Sequence, residues 1–253
     1  MANMTMVPMV HTLGAAGLWL YICKKLHTIK LPLELPIFGR VSSQHEIRNI
    51  FDNFGTGQLR DEVVEKYIAR KNSPCIIDCG VNVGVTVRWW LYLNRSARVY
   101  GVDMMQEAHD FTFEALRSAR APQGGYRPVT AAIWSEGGRE LKFGVTDPLY
   151  GDYGFYRKDR EETERRVITR TLDEIALSER IGEVDFLKVD LEGAAADALA
   201  GARELLKRTR HAVFEAHDVH NSQERALASD ILQKSGFRLR RTAGRHLWWE
   251  AAK

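Results

Sequence analysis

The sequence predicts an α/β fold: a mostly parallel seven-stranded sheet with one antiparallel strand, preceded by a helical N-terminal extension. Three observations predict it. After residue 74, short apolar runs alternate with helical stretches. The last two runs are joined by a tight turn, which can link only antiparallel neighbours. Most of the first 70 residues have helical spacing. We therefore expect a helical extension or lid over residues 1–70 and a sheet domain over residues 71–253.

Composition narrows the class of protein. The chain has 253 residues, of which 45% are hydrophobic and 27% charged, which excludes a disordered chain and a polytopic membrane protein. The formal net charge is +3, so charge gives no argument for a nucleic-acid partner. The cysteines are Cys23, Cys75 and Cys79, and no CxxC pair occurs. These features favour a reducing cytoplasm.

The N-terminal segment has two interpretations. Residues 13–23 are apolar and are followed by Lys24 and Lys25. The run is shorter than the roughly 20 residues that span a bilayer. It is either a helix packed on the domain or a helix that contacts a membrane surface or a partner, with the two lysines at its polar edge. Residues 30–38 contain two prolines and predict a linker. Residues 43–70 predict helices with a break near Gly55 and Gly57.

The elements of the sheet domain follow in order. The predicted strands cover residues 75–78, 97–103, 126–134, 184–190, 211–217, 237–241 and 246–251. The predicted helices cover residues 85–93, 107–120 and 195–208. A further helix is opened by Asn221 and Glu224 as a capping-box pair and closed by Gly236. The turn between the last two strands is placed at Gly244.

The segment after the first strand, residues 78–84 (DCGVNVG), predicts a ligand-binding loop. Gly80 and Gly84 allow a sharp turn and a close approach to a ligand. The loop runs into a helix N-terminus, which favours an anionic group such as a carboxylate. Asp103 ends the next strand, near the ~20-residue offset of a ribose-binding acid. The GxGxxG fingerprint is absent, which disfavours a dinucleotide. A glycine-rich turn without a ligand is the alternative.

Four segments, in this order, resemble the FkbM-type S-adenosylmethionine-dependent methyltransferases. They are DCGVNVG (78–84), VYGVD (99–103), FLKVDLEG (186–193) and FEAH (214–217). The similarity covers about residues 75–217 and continues into the last strand pair, and LKVDLEG is its most specific part. The sequence departs from the family pattern at Val81 (usually Ala), at Asp103-Met104 (usually Glu-Pro) and at Ala195 (often Glu).

The resemblance implies a Rossmann-like methyltransferase fold and S-adenosylmethionine as cofactor, with S-adenosylhomocysteine as its product. It implies that Asp78 orders the glycine-rich loop, that Asp103 binds the ribose and that Met104 and Ala132 lie beside the adenine. The full set of predicted cofactor-binding residues is Asp78, Gly80, Asn82, Gly84, Asp103, Met104, Ala132 and Asp190.

The predicted catalytic residues lie at the carboxyl ends of the fourth and fifth strands. They are Asp190, Glu192 and His217, and we expect Lys188 to pair with a strand-end acid rather than to act as a base. His217 is the predicted base because an unperturbed pKa of ~6.5 suits proton removal near neutrality. A buried structural histidine is the alternative, and His220 is a weaker second candidate. The set of Asp190, Glu192, Glu215 and His217 could also hold Mg²⁺, but without a compact ligand string we assign no metal ligand.

The predicted reaction is O-methylation of a hydroxyl on a sugar or secondary metabolite. An N-methyltransferase and a non-catalytic nucleoside-binding scaffold remain alternatives. The expected partner is a small-molecule acceptor and not nucleic acid, a homo-oligomer is an open option, and an aromatic segment could cover the acceptor. That segment contains Tyr150, Tyr153, Phe155 and Tyr156.

Overall fold

The N-terminal part of the chain is mainly helical. The computed structural model describes residues 6–25, 29–145, 163–217 and 222–252. The first elements are α1 (Met6–Leu13), α2 (Ala15–Lys25), β1 (Leu33–Leu35), β2 (Gly39–Val41), α3 (Gln44–Ile50), a π-helical turn (Phe51–Gly55) and α4 (Glu62–Arg70). No helix within these described ranges is long and apolar enough to cross a membrane.

One prediction for this part is wrong. Residues 30–38 are not a plain linker, because β1 and β2 pair as an antiparallel hairpin with Leu35 opposite Gly39. Pro32 precedes the hairpin and Pro36 lies in its turn, so neither proline removes a ladder hydrogen bond. The predicted break is confirmed. The π-helical turn ends at Gly55, and α4 begins after Asp61, whose carboxylate accepts hydrogen bonds from the first turn.

The remaining elements alternate between strand and helix. They are β3 (Cys75–Cys79), α5 (Val85–Leu93), β4 (Arg98–Asp103), α6 (Gln106–Ser118), a 3₁₀ turn (Gln123–Gly125), β5 (Tyr126–Thr130), β6 (Ala132–Ile133), β7 (Glu140–Val145), β8 (Thr163–Arg170), α7 (Leu172–Ser178), β9 (Val184–Val189), α8 (Ala195–Ala200), α9 (Arg203–Leu206), β10 (Thr209–Glu215), α10 (Glu224–Lys234), β11 (Phe237–Ala243) and β12 (His246–Ala251).

The central sheet has the order β11-β12-β10-β9-β3-β4-β5. Its neighbours are parallel except at β12, which runs antiparallel to both β10 and β11. This arrangement confirms the predicted fold, including the single reversed strand. The predicted third strand is divided, because β5 joins the central sheet whereas β6 joins a small sheet with β8 and β7. The carboxyl ends of the parallel strands meet at one edge, where open α/β sheets bind ligands.

The N-terminal extension covers one face of the central sheet. Alternate residues of β9 point to opposite faces: Phe186 belongs to the apolar cluster of the extension, and Leu187 to the cluster on the other side. The ring of Phe186 lies 4.7 Å from that of Trp90 and 5.7 Å from that of Trp248. Trp89 is buried in the same cluster, so both tryptophans of α5 are core residues. The division at residue 70 and the lid role remain predictions.

Candidate functional site

The glycine loop, residues 80–84, connects β3 to α5 at the carboxyl edge of the sheet. The φ angles of Gly80, Asn82 and Gly84 are +79°, +50° and +66°. A Cβ atom on Gly80 would lie 1.9 Å from the backbone oxygen of Asp190, and one on Gly84 would lie 2.5 Å from Oγ1 of Thr112. Both positions therefore require glycine, and the loop packs tightly against the end of β9.

Asp103, the predicted ribose ligand, lies across from this loop at the end of β4. Its Oδ2 accepts a hydrogen bond from the backbone N–H of Asn82 at 3.0 Å, and its Oδ1 accepts one from Met105 at 3.0 Å. Burial raises the pKa of Asp103, and these two backbone donors oppose that shift. A carboxylate offers about four lone-pair sites, so the two contacts orient the group and leave it able to accept hydroxyl donors as well.

Asn82 gives an independent indication of a ligand. Its Oδ1 is buried and has no hydrogen-bond partner among the residues that the structure describes. Leaving a buried acceptor unpaired costs about 1–3 kcal/mol. A bound ligand that carries a donor, such as an amino group, would satisfy this oxygen. The loop, Asn82 and Asp103 thus have the shape and polarity that the predicted cofactor needs.

A buried ion pair between Asp78 and Lys188 connects the end of β3, just before the glycine loop, to the neighbouring strand β9. Oδ1 of Asp78 lies 3.1 Å from Nζ of Lys188, and Oδ2 of Asp78 accepts a hydrogen bond from the hydroxyl of Thr86. Lys188 also donates to the carbonyl of Gly80 at 2.9 Å and lies 3.5 Å from Oδ2 of Asp190. Burial alone would lower the pKa of Lys188, but Asp78 and Asp190 raise it. The expected pairing of Lys188 with a strand-end acid is confirmed.

The structure brings the three predicted catalytic side chains together as a triad of Asp190, Glu192 and His217. Nε2 of His217 lies 3.2 Å from Oδ1 of Asp190, and its Nδ1 lies 3.1 Å from Oε2 of Glu192. The two carboxylates are 24% and 26% exposed, whereas His217 is 3% exposed. Taking one ligand atom from each residue, the three atoms lie within 4.8 Å of one another, close enough to hold a metal ion.

The charges within the triad shift the pKa of His217, on which its predicted role as the base depends. Burial would lower the pKa of His217, but the hydrogen bonds to Asp190 and Glu192 raise it to about 11. The pKa of Asp190 is lowered, because Lys188 and His217 outweigh its burial. Burial, followed by repulsion from Asp190, raises the pKa of neighbouring Glu215 to about 8. His217 therefore carries a proton at neutral pH, so its predicted role as base can no longer rest on an unperturbed pKa.

Glu224 is a supporting residue that the sequence did not reveal. We expected it in a capping box, but α10 begins at Glu224 and its N-cap, Gln223, makes no side-chain capping bond. The fully buried carboxylate of Glu224 instead accepts hydrogen bonds from the N–H groups of Ala195 at 2.7 Å and His217 at 2.6 Å. It thereby joins the start of α8 to the end of β10. Asn221, the other half of the expected pair, lies outside the described residues.

Arg88 plays the corresponding role behind the glycine loop. It is fully buried on α5 and donates to the carbonyl of Val83 at 3.0 Å, to the carbonyl of Phe38 at 2.7 Å and to Oε1 of Glu46 at 3.1 Å. One side chain thus joins the loop to the hairpin and α3 of the N-terminal extension. The sequence contains a signal for it: Arg88 is the single charged residue of an otherwise apolar and uncharged helix, VTVRWWLYL.

The two predicted adenine neighbours lie on segments that flank Asp103. Met104 is half-buried and packs with Met105 and its apolar neighbours, and Ala132 is buried in β6 opposite Thr169. Their contact with adenine remains a prediction. His220 and the aromatic segment of residues 150–156 lie outside the described residues.

Comparison with known proteins gives a family match. A model of the methyltransferase FkbM domain matches residues 78–240, which is more than half of the chain. A search of curated proteins found no match.

Structural similarities are weaker. Magnesium protoporphyrin IX methyltransferase from Synechocystis PCC 6803 is 15% identical, with a TM-score of 0.47 over 85% of this chain and 88% of that one. An rRNA methylase from Streptococcus thermophilus is 11% identical, with a TM-score of 0.44 over 76% and 95%. An S-adenosylmethionine-dependent methyltransferase from Aquifex aeolicus is 12% identical, with a TM-score of 0.44 over 83% and 100%.

Proposed function

Because the chain belongs to the FkbM family of S-adenosylmethionine-dependent methyltransferases, we propose that it methylates a hydroxyl oxygen of a small molecule, a sugar or a secondary metabolite. One observation carries the proposal. The triad of Asp190, Glu192 and His217 lies beside the glycine loop, and Lys188 contacts both, through the carbonyl of Gly80 and the carboxylate of Asp190. A proton-accepting group thus adjoins the predicted cofactor site.

The cofactor-binding half consists of the glycine loop and Asp103. In our proposal, Asp103 accepts hydrogen bonds from the ribose hydroxyls, and Oδ1 of Asn82 accepts one from the amino group of the methionine moiety. The ion pair of Asp78 and Lys188 links β3 and β9 beside the start of the loop. When bound, S-adenosylmethionine supplies a methyl group on a positively charged sulfur. The chain contributes mainly proximity and alignment.

The triad forms the other half of the proposed site and takes up the proton of the acceptor hydroxyl. As the new C–O bond forms and the C–S bond breaks, the acceptor hydroxyl loses its proton. We assign this proton to the triad as a whole, because interacting groups titrate together. The partly exposed carboxylates of Asp190 and Glu192 are the groups that a hydroxyl can reach, and His217 lies between them, with one ring nitrogen facing each.

Calorimetry and product mass spectrometry test this function. S-adenosylmethionine should bind with one site per chain, and a panel of hydroxyl and amine acceptors should yield a mass increase of one methyl group only on hydroxyl compounds. His217→Ala should lower turnover and leave cofactor affinity nearly unchanged, whereas the control His45→Ala on α3 should change neither. Methylated amines would instead indicate an N-methyltransferase. Cofactor binding without turnover on any acceptor would favour the non-catalytic scaffold.

The N-terminal helix pair offers a location for the reaction. On α2, Leu18, Trp19 and Ile22 are 40%, 49% and 46% exposed, next to Lys24 and Lys25 in the last turn. Residues 6–25 contain no acidic side chain. We propose that this face lies on an anionic lipid surface, where the apolar side chains enter the interface and the lysines meet phosphate groups.

Vesicle cosedimentation tests this location. The chain should sediment with vesicles of phosphatidylcholine and phosphatidylglycerol, and less with phosphatidylcholine alone. Trp19→Ser should reduce sedimentation. The control Leu177→Ser alters an apolar residue that is 79% exposed on α7 and should have no effect. Equal sedimentation of wild type and Trp19→Ser would contradict the proposal.

A further inference from the structure

The triad has the composition of a metal-binding site as well as that of a proton acceptor. It offers one oxygen from each of two carboxylates and one nitrogen of a buried imidazole, all within 4.8 Å. A six-coordinate ion with bonds of about 2.1 Å holds adjacent ligand atoms about 3 Å apart and opposite ones about 4 Å apart. An ion binds only one nitrogen of His217: Nε2 lies 3.2 Å from Oδ1 of Asp190, whereas Glu192 contacts the other nitrogen, Nδ1, at 3.1 Å. Because one ligand atom from each residue lies within 4.8 Å of the others, rotation of the partly exposed carboxylates can bring all three into range of one ion.

The local balance of fixed charge favours a cation. Within the described residues, the carboxylates that contact the triad or Lys188 belong to Asp78, Asp190, Glu192, Glu215 and Glu224. The fixed cations paired with them are Lys188 and Arg245. Even with the proton that His217 carries, and with Glu215 left out, the four other carboxylates outnumber the three cations, and this excess of negative charge lies at the edge of the sheet, partly shielded from solvent.

Hydrogen bonds hold the backbone that carries two of the three ligands in place. The backbone N–H of His217 is held by buried Glu224 at 2.6 Å, and that of Asp190 donates to the carbonyl of Cys79 at 3.1 Å. These hydrogen bonds fix the backbone from which the side chains of His217 and Asp190 extend. The ligands also face outward, since Asp190 and Glu192 remain about one quarter exposed. Three protein ligands leave room on the ion for further oxygens.

We propose that Asp190, Glu192 and His217 bind a divalent first-row cation of the Mn²⁺ class. Two carboxylates with one imidazole suit such an ion better than Ca²⁺ or Mg²⁺, which favour all-oxygen sites. The open positions would accept the hydroxyl of the acceptor, and this last step rests on the proposed methyl transfer. Binding of the ion itself does not depend on that function.

Titration with Mn²⁺ alone tests the site. Metal-free protein is titrated with Mn²⁺ without cofactor or acceptor, and the free ion is followed by electron paramagnetic resonance. We expect one saturable equivalent per chain. Glu192→Gln and His217→Ala should each weaken binding by roughly 10-fold or more. The matched control is Glu215→Gln, which removes a neighbouring carboxylate that is not a proposed ligand and should change affinity by less than about 3-fold.

The outcomes are separable. Wild-type protein that binds no Mn²⁺ at millimolar concentration overturns the metal site and leaves the proposed methyl transfer untouched. Equal weakening by Glu192→Gln and Glu215→Gln also overturns it, because the triad would then be a diffuse negative patch. If His217→Ala fails to fold, the comparison of the two glutamate variants still decides the question. A saturable equivalent in a protein that methylates nothing would support the metal site and reject the methyl transfer.

Discussion

The glycine loop and the triad lie side by side on one sheet edge, but they are built differently. The loop is a single continuous segment, and backbone angles and the absence of side chains set its shape, as at Gly80 and Gly84. The triad consists of side chains from two strand ends, with Asp190 and His217 separated by 27 positions in the chain. Hydrogen bonds and ion pairs between these side chains set their arrangement. The geometry of the glycine loop therefore depends on residues that are close together in the sequence, whereas the geometry of the triad depends on residues that are far apart in it.

Each half also has one buried charged residue behind it. Arg88 holds the loop against the N-terminal extension, and Glu224 holds the triad through the backbone of His217. Both lie outside the residue strings that resemble the family. The difference between the two halves should therefore appear when either the motif or its support is changed.

The largest expected effect is that of Gly80→Ala on the loop. The added Cβ would overlap the backbone oxygen of Asp190, which cannot move without disturbing β9, so we expect a stability loss of about 4 kcal/mol or more and loss of cofactor binding. Gly138→Ala is the matched control. Gly138 has the same φ of +79°, but its Cβ would meet nothing within 4 Å, so only backbone strain of about 1 kcal/mol is expected.

Chemical denaturation and calorimetry on the two variants measure these effects. Similar losses in both would show that conformational strain, and not the close approach of β9, makes glycine necessary at position 80.

Glu224→Gln should produce the next largest effect, on the triad. The amide has one acceptor oxygen for the two N–H groups of Ala195 and His217, so one donor is left facing an NH₂ group. We expect a stability loss of about 2 kcal/mol and lower turnover with unchanged cofactor affinity. The control is Glu174→Gln, since Glu174 also accepts a backbone N–H, that of Thr171, but lies in an exposed capping box where Gln serves equally well.

If Glu224→Gln loses stability but keeps full turnover, the triad does not depend on its support. The glycine loop and the triad would then differ only in how far apart in the sequence their residues lie, and not in their dependence on a supporting residue.

The same difference explains how far the sequence could predict the structure. Apolar runs and glycines are local signals, so the seven strands, the reversed β12 and the loop were predictable, and the resemblance named all three triad residues. The long-range contacts were not. Glu224 has the residue type and spacing of a helix cap, and nothing nearby in the sequence indicates that its carboxylate reaches Ala195 and His217. The hairpin in residues 30–38 was missed because the prolines there fit a linker as well as a turn.

Asp103→Ala sharpens the assignment of the cofactor to the loop half. Removing a buried carboxylate that should accept ribose hydroxyls is expected to weaken S-adenosylmethionine binding by about 1–3 kcal/mol, roughly 5- to 150-fold. Asp185→Ala is the control. Asp185 is also buried and accepts a backbone N–H, that of Cys75 at 2.8 Å, but at the start of β9 and away from the site. It should lower stability without changing cofactor affinity. Equal affinity in wild type and Asp103→Ala would remove Asp103 from the ribose site.

The remaining expected effect concerns pH, and it compares the two ends of strand β10. At the far end from the triad, burial lowers the pKa of His211 to about 4, and the nearby charge of Glu250 only partly opposes it. At the triad, Asp190 and Glu192 overcome burial and raise the pKa of His217 to about 11. At neutral pH, strand β10 therefore holds a neutral histidine, His211, and is followed two residues after its end by a protonated one, His217.

The two shifts act on stability in different pH windows. Between pH 6.5 and about 4 the unfolded chain takes up a proton at His211 that the folded chain refuses, so stability falls as the solution becomes more acidic, by at most about 1.4 kcal/mol per pH unit. His217 contributes stability that is fully present below pH 6.5 and is lost as pH rises towards 11. His211→Phe keeps a ring against Tyr67. It should reduce the fall in stability between pH 6.5 and 4, the acid limb of the stability curve, and leave the fall at alkaline pH, the alkaline limb, parallel to that of wild type. Urea unfolding in EDTA-containing buffers across this range measures both limbs. An unchanged acid limb would mean that His211 is not held neutral, and the two ends of β10 would then differ less in charge than the structure indicates.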